Sequence, residues 1–215
     1  FLRVLIVAKR FQSEQEVFWA GSFGDEYTIR NDTKELLLSR KTLLNRALKS
    51  SCKLESVIEF GANVGLNLIA FKDLFPGVTA TAIEINSSAI SKLKMIDDVK
   101  VIHGSILESN KIEISDLAMV IGVLIHIAPK HLPIAYENIY RATRRYILIG
   151  EYYSRQPEEL SYRGYKNKLF KRDFAGEMLD KYTDLRLVDY GFFYHKDESS
   201  NLDDITWFLM EKADI

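Results

Sequence analysis

The sequence predicts a doubly wound α/β fold, in which a mostly parallel sheet carries helices on both faces. Short apolar runs alternate with segments of helical spacing between residues 56 and 150, and a glycine-containing turn stands where the first run meets the first helix. Two more strand-like runs follow near the C-terminus. Because parallel neighbours require crossover connections, the alternation indicates parallel strands, and we expect the last two runs to form an antiparallel edge hairpin.

The predicted elements follow one another in a regular order. Leucines at helical spacing indicate a covering helix over residues 32–49. Strands are predicted at residues 56–60, 79–85, 100–103, 117–122, 146–150, 185–194 and 205–211. Helices are predicted at residues 64–75 and 88–96, from Pro129 to about residue 143, and at 174–181. The stretch between residue 151 and the last helix is expected to be a polar, aromatic loop.

Length and composition indicate one domain spanning residues 1–215. With 47% hydrophobic residues, the chain can close a single core, and no repeat or linker divides it. We expect residues 1–50 to form an N-terminal arm and covering helix. Residues 51–215 are expected to form a Rossmann-like core with a substrate-side insertion at about residues 152–175.

Charge, cysteine and histidine content disfavour several classes of function. Lys plus Arg number 29 against 30 Asp plus Glu, so no overall positive field favours nucleic acid or an anionic membrane. The apolar opening at residues 1–8 is too short to span a bilayer. The single cysteine, Cys52, cannot form an internal disulfide and fits a cytoplasmic protein. The scattered histidines predict no metal site, and the sequence is silent on oligomeric state.

The glycine-containing turn is the strongest chemical signal. It reads Glu59-Phe60-Gly61-Ala62-Asn63-Val64-Gly65 and joins the first sheet strand to its helix. Glycines let the backbone approach a ligand closely, and the helix N-terminus offers amide donors to it. A dinucleotide loop would have the spacing G-x-G-x-x-G, whereas here the last glycine comes one residue early. The spacing resembles the E-x-G-x-G-x-G loop of class I S-adenosylmethionine-dependent methyltransferases; another nucleotide site and a structural tight turn are the alternatives.

The next two strand ends carry residues suited to a nucleoside. Glu84 ends the second strand, where a carboxylate can accept hydrogen bonds from both hydroxyls of a ribose, and Ile85 would pack on the adenine. An exposed strand-end acid is the alternative for Glu84. Ser105 and Ile106 follow the third strand, where methyltransferases often have an acid that contacts the adenine; Ser105 can hydrogen-bond the base instead.

The end of the fourth strand supplies Gly122, Val123 and His126, which we expect beneath the methionine part of the cofactor. An imidazole at this place can orient the methyl acceptor or take its proton, because its pKa lies near neutrality. A histidine hydrogen-bonded to the neighbouring backbone is the alternative. From the sequence, His126 is therefore a candidate for either a catalytic or a structural role.

Longer strings in the sequence resemble a narrower group of proteins. Residues 18–31 read FWAGSFGDEYTIRN, residues 122–127 read GVLIHI, residues 162–164 read YRG and residues 168–177 read KLFKRDFAGE. Together with the glycine loop, these strings resemble the methylases associated with pseudaminic acid biosynthesis, from about residue 12 onward. The resemblance implies that residues 18–31 fold over S-adenosylmethionine. Arg30 would hold the methionine carboxylate with Tyr27 beside it, and Trp19 would shield the sulfonium.

The stretch after the fifth strand is expected to bind the methyl acceptor. Its cations and tyrosines favour a small acceptor that bears a carboxylate or phosphate; a solvated basic loop is the alternative. The predicted substrate contacts are Tyr153, Tyr162, Arg163, Lys168 and Arg172. Positioning can supply most of the rate of methyl transfer, so no catalytic group is obligatory. The candidates are His126 and Glu151, with Tyr152 orienting the acceptor.

Three functions remain open at the level of sequence. The first is methyl transfer to an acidic sugar, a nucleotide-linked sugar or a similar metabolite. The second is RNA or protein methylation, which the charge balance and the lack of a recognisable nucleic-acid module disfavour. The third is a nucleotide-binding protein that has kept the fold and lost the chemistry.

Overall fold

The N-terminal part of the chain is helical. The computed structural model describes residues 11–31, 33–108 and 112–213, so the apolar opening at residues 1–8 lies outside the described residues. Two short helices, α1 (Glu14–Ala20) and α2 (Ser22–Arg30), precede the covering helix α3 (Lys34–Ala47). The predicted covering helix is confirmed.

Local capping explains where these helices begin. Ser13 accepts a hydrogen bond from the Glu16 amide, and the Glu16 side chain accepts one from the Ser13 amide, which forms a capping box at α1. Thr33 accepts from the Leu36 amide at the start of α3. Satisfying these free amides fixes the direction in which each helix leaves the preceding turn.

A seven-stranded sheet forms the centre of the fold, with the strand order β3-β2-β1-β4-β5-β9-β8. Its strands are β1 (Ser56–Phe60), β2 (Thr79–Glu84), β3 (Val99–His103), β4 (Ser115–Ile121), β5 (Thr143–Glu151), β8 (Leu185–Phe192) and β9 (Thr206–Lys212). The first five are parallel, whereas β9 runs antiparallel to both β5 and β8. The predicted mostly parallel sheet with an antiparallel C-terminal edge is confirmed.

Helices cover both faces of this sheet. The remaining helices are α4 (Leu66–Leu74), α5 (Ser87–Leu93), α6 (Leu132–Arg141) and α7 (Phe174–Lys181), with short 3-10 turns at Leu124–His126 and Pro129–His131. Successive strand residues point to opposite faces, so Val57 joins the apolar cluster under α3 and α4, and Ile58 joins the cluster under α6 and α7. No helix among the described residues is long and apolar enough to cross a membrane.

The prediction of a loop between residue 151 and the last helix is wrong. The stretch after β5 contains a two-stranded hairpin, β6 (Glu158–Tyr162) and β7 (Tyr165–Lys171), which lies apart from the main sheet. Arg163 and Gly164 form its turn with φ angles of 49° and 86°, the left-handed conformation that a two-residue hairpin turn requires. The strands are polar and mostly exposed, so they lack the alternation of apolar residues that reveals a strand.

Candidate active site

A cavity of about 1060 Å³, partly open to solvent, lies at the carboxyl ends of β1, β2, β3 and β4. It sits where the strand order reverses between β1 and β4, which is where open α/β sheets bind ligands. Trp19 of α1 and Tyr27 of α2 close it from above. We call it the main cavity.

The turn after β1 forms one wall of the main cavity. Gly61, Asn63 and Gly65 have φ angles of 71°, 48° and 84°, which glycine tolerates best. A Cβ at Gly61 would lie 2.5 Å from the Val123 side chain, and one at Gly65 would lie 2.4 Å from Ile96. Glycine is therefore needed for packing as well as for the backbone conformation.

The amides of this turn are largely used within the protein. The Gly61 and Ala62 amides donate to the Ile83 carbonyl at 2.8 and 3.2 Å, and the Gly65 amide donates to the Ala62 carbonyl at 2.8 Å. The Asn63 amide donates to Glu84 Oε2 at 2.7 Å. The turn therefore brings its backbone close to the cavity but offers few free amide donors to a ligand.

Glu84 lies at the end of β2 and lines the main cavity. Its Oε1 accepts from the Ile85 and Asn86 amides at 2.7 Å each, and its Oε2 accepts from Asn63. Burial raises the pKa of this carboxyl, and the three amides oppose that rise. A carboxylate has about four acceptor sites, so Glu84 keeps capacity for a ligand hydroxyl. Ile85 lines the cavity beside it.

The ends of β3 and β4 complete the walls. Ser105 is buried and lines the cavity with Ile106; its Oγ accepts from the Leu107 amide at 3.0 Å. The hydroxyl proton has no acceptor among the described residues and can be donated. Gly122, at φ 68°, and Val123 also line the cavity, and a Cβ at Gly122 would meet nothing within 4 Å. The cavity is open at that point.

Glu59 and the basic residues near the turn depart from the predicted arrangement. Glu59 is buried behind the cavity wall, where it accepts from Asn67 at 2.6 Å; burial raises its pKa to about 8. Glu59 Oε2 and Asn67 Oδ1 are buried without a hydrogen-bond partner among the described residues.

Arg30 pairs with Glu26 outside the lining of the main cavity, whereas Arg40 of α3 lines it. Sequence reasoning missed Arg40, because nothing distinguishes it from the other charges of α3.

The N-terminal helices are tied to the cavity rim by side-chain hydrogen bonds. Asn86, which caps α5, donates through Nδ2 to Asp25 at 3.0 Å and to the Trp19 carbonyl at 3.2 Å. Thr28 donates to Asn63 Oδ1 at 3.2 Å. We call residues 14–30 the arm. These contacts hold the arm over the cavity from above.

His126 lies below the arm and lines the main cavity. Its Nδ1 is 2.6 Å from the Lys168 carbonyl oxygen, and because a carbonyl only accepts, Nδ1 carries the proton. Its ring lies 4.5 Å from Trp19 and 4.8 Å from Tyr162, measured between centroids. Burial lowers its pKa to about 4. His126 is therefore a neutral imidazole whose Nε2 has no hydrogen-bond partner among the described residues.

The other two catalytic candidates lie away from the main cavity, which is a correction to the prediction. Glu151 is buried behind the turn that follows β4, where its Oε1 accepts from the Val123 and Leu124 amides at 2.8 Å each. Desolvation raises its pKa to about 8. The Tyr152 hydroxyl donates to Asp203, before β9. Glu151 thus stabilises the turn that carries His126, and Tyr152 fastens a loop.

The five predicted acceptor residues do not converge on the main cavity either, because the stretch folds as a hairpin. Lys168 is buried and pairs with Glu14 at 2.9 Å, and Arg172 pairs with Glu177 at 2.7 Å. Tyr153 is exposed, and Tyr162 packs on His126 and Trp19. Arg163, in the hairpin turn, has no ion pair among the described residues. Four cations of the stretch form no ion pair among the described residues, and none of them lines the main cavity: Arg155, Arg163, Lys166 and Lys171.

Metal ligation finds no support in the described part of the chain. No group of three or more His, Cys, Asp or Glu side chains there is arranged to hold a metal ion.

Comparison with solved structures identifies the fold. The chain superimposes with a TM-score of 0.69 on 1,6-didemethyltoxoflavin-N1-methyltransferase of Burkholderia thailandensis, with 15% identity over 93% of this chain and 87% of that one. For magnesium protoporphyrin IX methyltransferase of Synechocystis PCC 6803 the TM-score is 0.66, with 9% identity over 94% and 98% of the two chains. The fold is that of the S-adenosylmethionine-dependent methyltransferases.

A third structure, the plantazolicin methyltransferase BpumL, has a TM-score of 0.64 and 13% identity over 93% of this chain and 94% of that one. The first of the three holds 1,6-didemethyltoxoflavin and S-adenosylhomocysteine, the second S-adenosylmethionine and the third S-adenosylhomocysteine. No family model and no curated protein sequence matches the chain. The likeness is one of fold, and the acceptors of these enzymes differ from one another.

Proposed function

We propose that the chain is an S-adenosylmethionine-dependent methyltransferase that acts on a small polar acceptor. The observation that carries the proposal is the Glu84 carboxylate, which lines the main cavity beside the glycine turn at the switch point of the sheet. Glu84 accepts a hydrogen bond from a ribose hydroxyl with the acceptor capacity that its three amides leave free. Ile85 and Ile106 contact the adenine, and Ser105 donates to it.

The methionine end of the cofactor is assigned to the side of the cavity lined by Arg40 and Asn67. Arg40 takes the carboxylate-binding role that the sequence suggested for Arg30, because it is the only Lys or Arg among the described residues that lines the main cavity. The unpartnered Asn67 Oδ1 is an acceptor suited to the methionine ammonium. Trp19 and Tyr27 exclude water above the sulfonium, and Trp19 offers its ring face to the positive charge.

The cofactor supplies an electrophilic methyl group, and the protein positions the acceptor. His126 Nε2 accepts a hydrogen bond from the hydroxyl or N–H that is methylated, which aims a lone pair of that group at the methyl carbon. With its pKa lowered to about 4, His126 does not retain the proton at neutral pH. The proton released on transfer therefore passes to solvent.

The finer identity of the acceptor follows from the sequence resemblance alone. An acidic sugar of the kind associated with pseudaminic acid would have to be held by Arg163 or another unpaired cation of this stretch, since Lys168 and Arg172 are neutralised by Glu14 and Glu177. RNA is disfavoured because Lys plus Arg number 29 against 30 Asp plus Glu and the sequence has no recognisable nucleic-acid module. The enzyme's work on a small acceptor is consistent with a cytoplasmic location.

Calorimetry with S-adenosylhomocysteine tests the proposal. We expect Glu84→Gln to weaken binding roughly tenfold or more, because the charged acceptor of a ribose hydroxyl is lost. The matched control is Glu55→Gln, an exposed acid at the opposite end of β1, which should bind as the wild type does. Thermal unfolding of both variants shows that each is folded. Wild-type affinity in folded Glu84→Gln would overturn the assignment of the ribose site.

A further inference from the structure

A second cavity of about 1140 Å³ lies beside the main one. Its walls are the start of α1, the 3-10 turn at Pro129–His131, and the hairpin of β6 and β7. We call it the hairpin cavity. The proposed cofactor site does not use it, and its lining includes polar side chains from three separate elements.

A thin wall divides the two cavities. Gln15 lines both of them, and Ile127 lines the main cavity while its neighbour Ala128 lines the hairpin cavity. The Gln15 side chain is 4% exposed. Its Nε2 donates to the Asn167 carbonyl at 3.0 Å and to Glu14 Oε1 at 3.3 Å. Its Oε1 accepts no hydrogen bond from the described residues and can accept one from a ligand hydroxyl.

The charges that line the hairpin cavity do not favour an anion. Arg172 is neutralised by Glu177, and Glu14 is neutralised by Lys168. Lys130, Glu158 and Glu159 remain, which leaves one cation against two carboxylates. At the other side of the wall, the part of the main cavity near Gln15 is lined by Glu16, Trp19 and His126 and by no Lys or Arg. Carboxylates and amides accept hydrogen bonds from hydroxyl and ammonium groups.

We propose that the methyl acceptor spans both cavities and is an uncharged or amine-bearing molecule with several hydroxyl groups. Its reactive group lies beside His126 Nε2, and the rest passes Gln15 into the hairpin cavity. The Gln15 amide exchanges its hydrogen bonds to Asn167 and Glu14 for bonds to acceptor hydroxyls. Glu158 and Glu159 receive the distal hydroxyl or ammonium groups. This inference rests on the proposed function, since the main cavity must hold the cofactor.

Three six-carbon polyols of different charge serve as probes: sorbitol, N-methylglucamine and gluconate. Saturation-transfer NMR on the protein loaded with S-adenosylhomocysteine should show binding of sorbitol and N-methylglucamine at pH 7, and weaker binding of gluconate. Glu158→Gln should weaken N-methylglucamine roughly two- to fivefold and leave sorbitol unchanged, as expected for an exposed charge. Gln15→Leu should weaken both probes and leave the affinity for S-adenosylhomocysteine unchanged.

Glu113→Gln is the matched control. Glu113 is an exposed acid at the amino end of β4, across the sheet from both cavities, and its loss should change neither probe. Preferred binding of gluconate, equal effects of Glu158→Gln and Glu113→Gln, or no binding of any polyol would overturn the inference while S-adenosylhomocysteine still binds. Failure to bind S-adenosylhomocysteine itself would instead overturn the proposed function.

Discussion

Three buried glutamates at the carboxyl side of the sheet show that the surroundings of a residue determine its role. Glu59, Glu84 and Glu151 lie at or beside the ends of β1, β2 and β5, and burial raises the pKa of each. Only Glu84 lines the main cavity. In the sequence all three are strand-end acids, and the cofactor role proposed for Glu84 rests on its place at the end of β2. The capping role of Glu151 depends on the turn after β4 and could not be predicted.

The buried Glu151 should make stability depend on pH. Burial raises the pKa of Glu151 from its ordinary value of 4.5 to about 8, so the folded state binds the proton more tightly. The stabilising contribution of the protonated group is present below the unfolded pKa and is lost as the pH rises from about 5 through 8. Chemical denaturation should therefore show that Glu151→Gln loses less stability than the wild type between pH 5.5 and 8.5 (roughly the titration window).

Glu55→Gln gives the baseline for this measurement, because Glu55 is exposed. A constant difference between wild type and Glu151→Gln across the pH range would contradict the raised pKa.

Substitutions at two glycines can distinguish the effect of ligand contact from the effect of backbone strain. Gly122 and Gly77 have φ angles of 68° and 87°, and a Cβ at either would meet no atom within 4 Å. Alanine at each position should cost about 1–2 kcal/mol of stability, because an L side chain disfavours this conformation. Only Gly122→Ala adds a methyl group to the main cavity, so only that variant should also bind S-adenosylhomocysteine more weakly.

Thermal unfolding and calorimetry on both glycine variants check this expectation. Equal affinity in Gly122→Ala and Gly77→Ala would place the ligand elsewhere.

At the scale of elements, α3 to α7 and the sheet strands were predicted from the sequence, whereas α1, α2 and the hairpin were not. Parallel strands such as β4 are buried on both faces and read as apolar runs. The hairpin strands β6 and β7 are largely exposed, so their sequence shows neither an apolar run nor an alternation of apolar and polar residues. The arm was expected to cover the cofactor, yet its attachment through Asn86 depends on a helix cap that also contacts α2, a tertiary contact that no local pattern encodes.

Asp25 should control the stability of the arm in its closed position. It accepts from Asn86 at 3.0 Å and from Ser88 at 2.7 Å. Removing both bonds in Asp25→Ala should speed amide hydrogen exchange across residues 14–30 and weaken S-adenosylhomocysteine binding about three- to tenfold. Glu26→Ala is the control, because Glu26 pairs only with Arg30 among the described residues. Identical exchange in the two variants would show that these bonds do not hold the arm.

For the whole molecule, the topology determines where the chemistry can occur. The order β3-β2-β1-β4-β5 reverses between β1 and β4, and this reversal opens the crevice that the glycine turn, Glu84 and Gly122 line. The alternation of strands and helices was enough to predict the parallel sheet and the edge of the sheet at which the site lies. The ion pairs of the acceptor side could not be predicted, because pairs such as Lys168 with Glu14 join residues far apart in the chain.

The most direct measurement is calorimetry that compares S-adenosylmethionine and S-adenosylhomocysteine with NAD and NADH on the intact chain. A cavity built for an adenosyl group with a methionine tail should bind the first two with micromolar dissociation constants and give no measurable heat with either dinucleotide. A preference for NAD or NADH, or no binding of S-adenosylhomocysteine, would contradict the assignment of the cavity and with it the proposed methyl transfer.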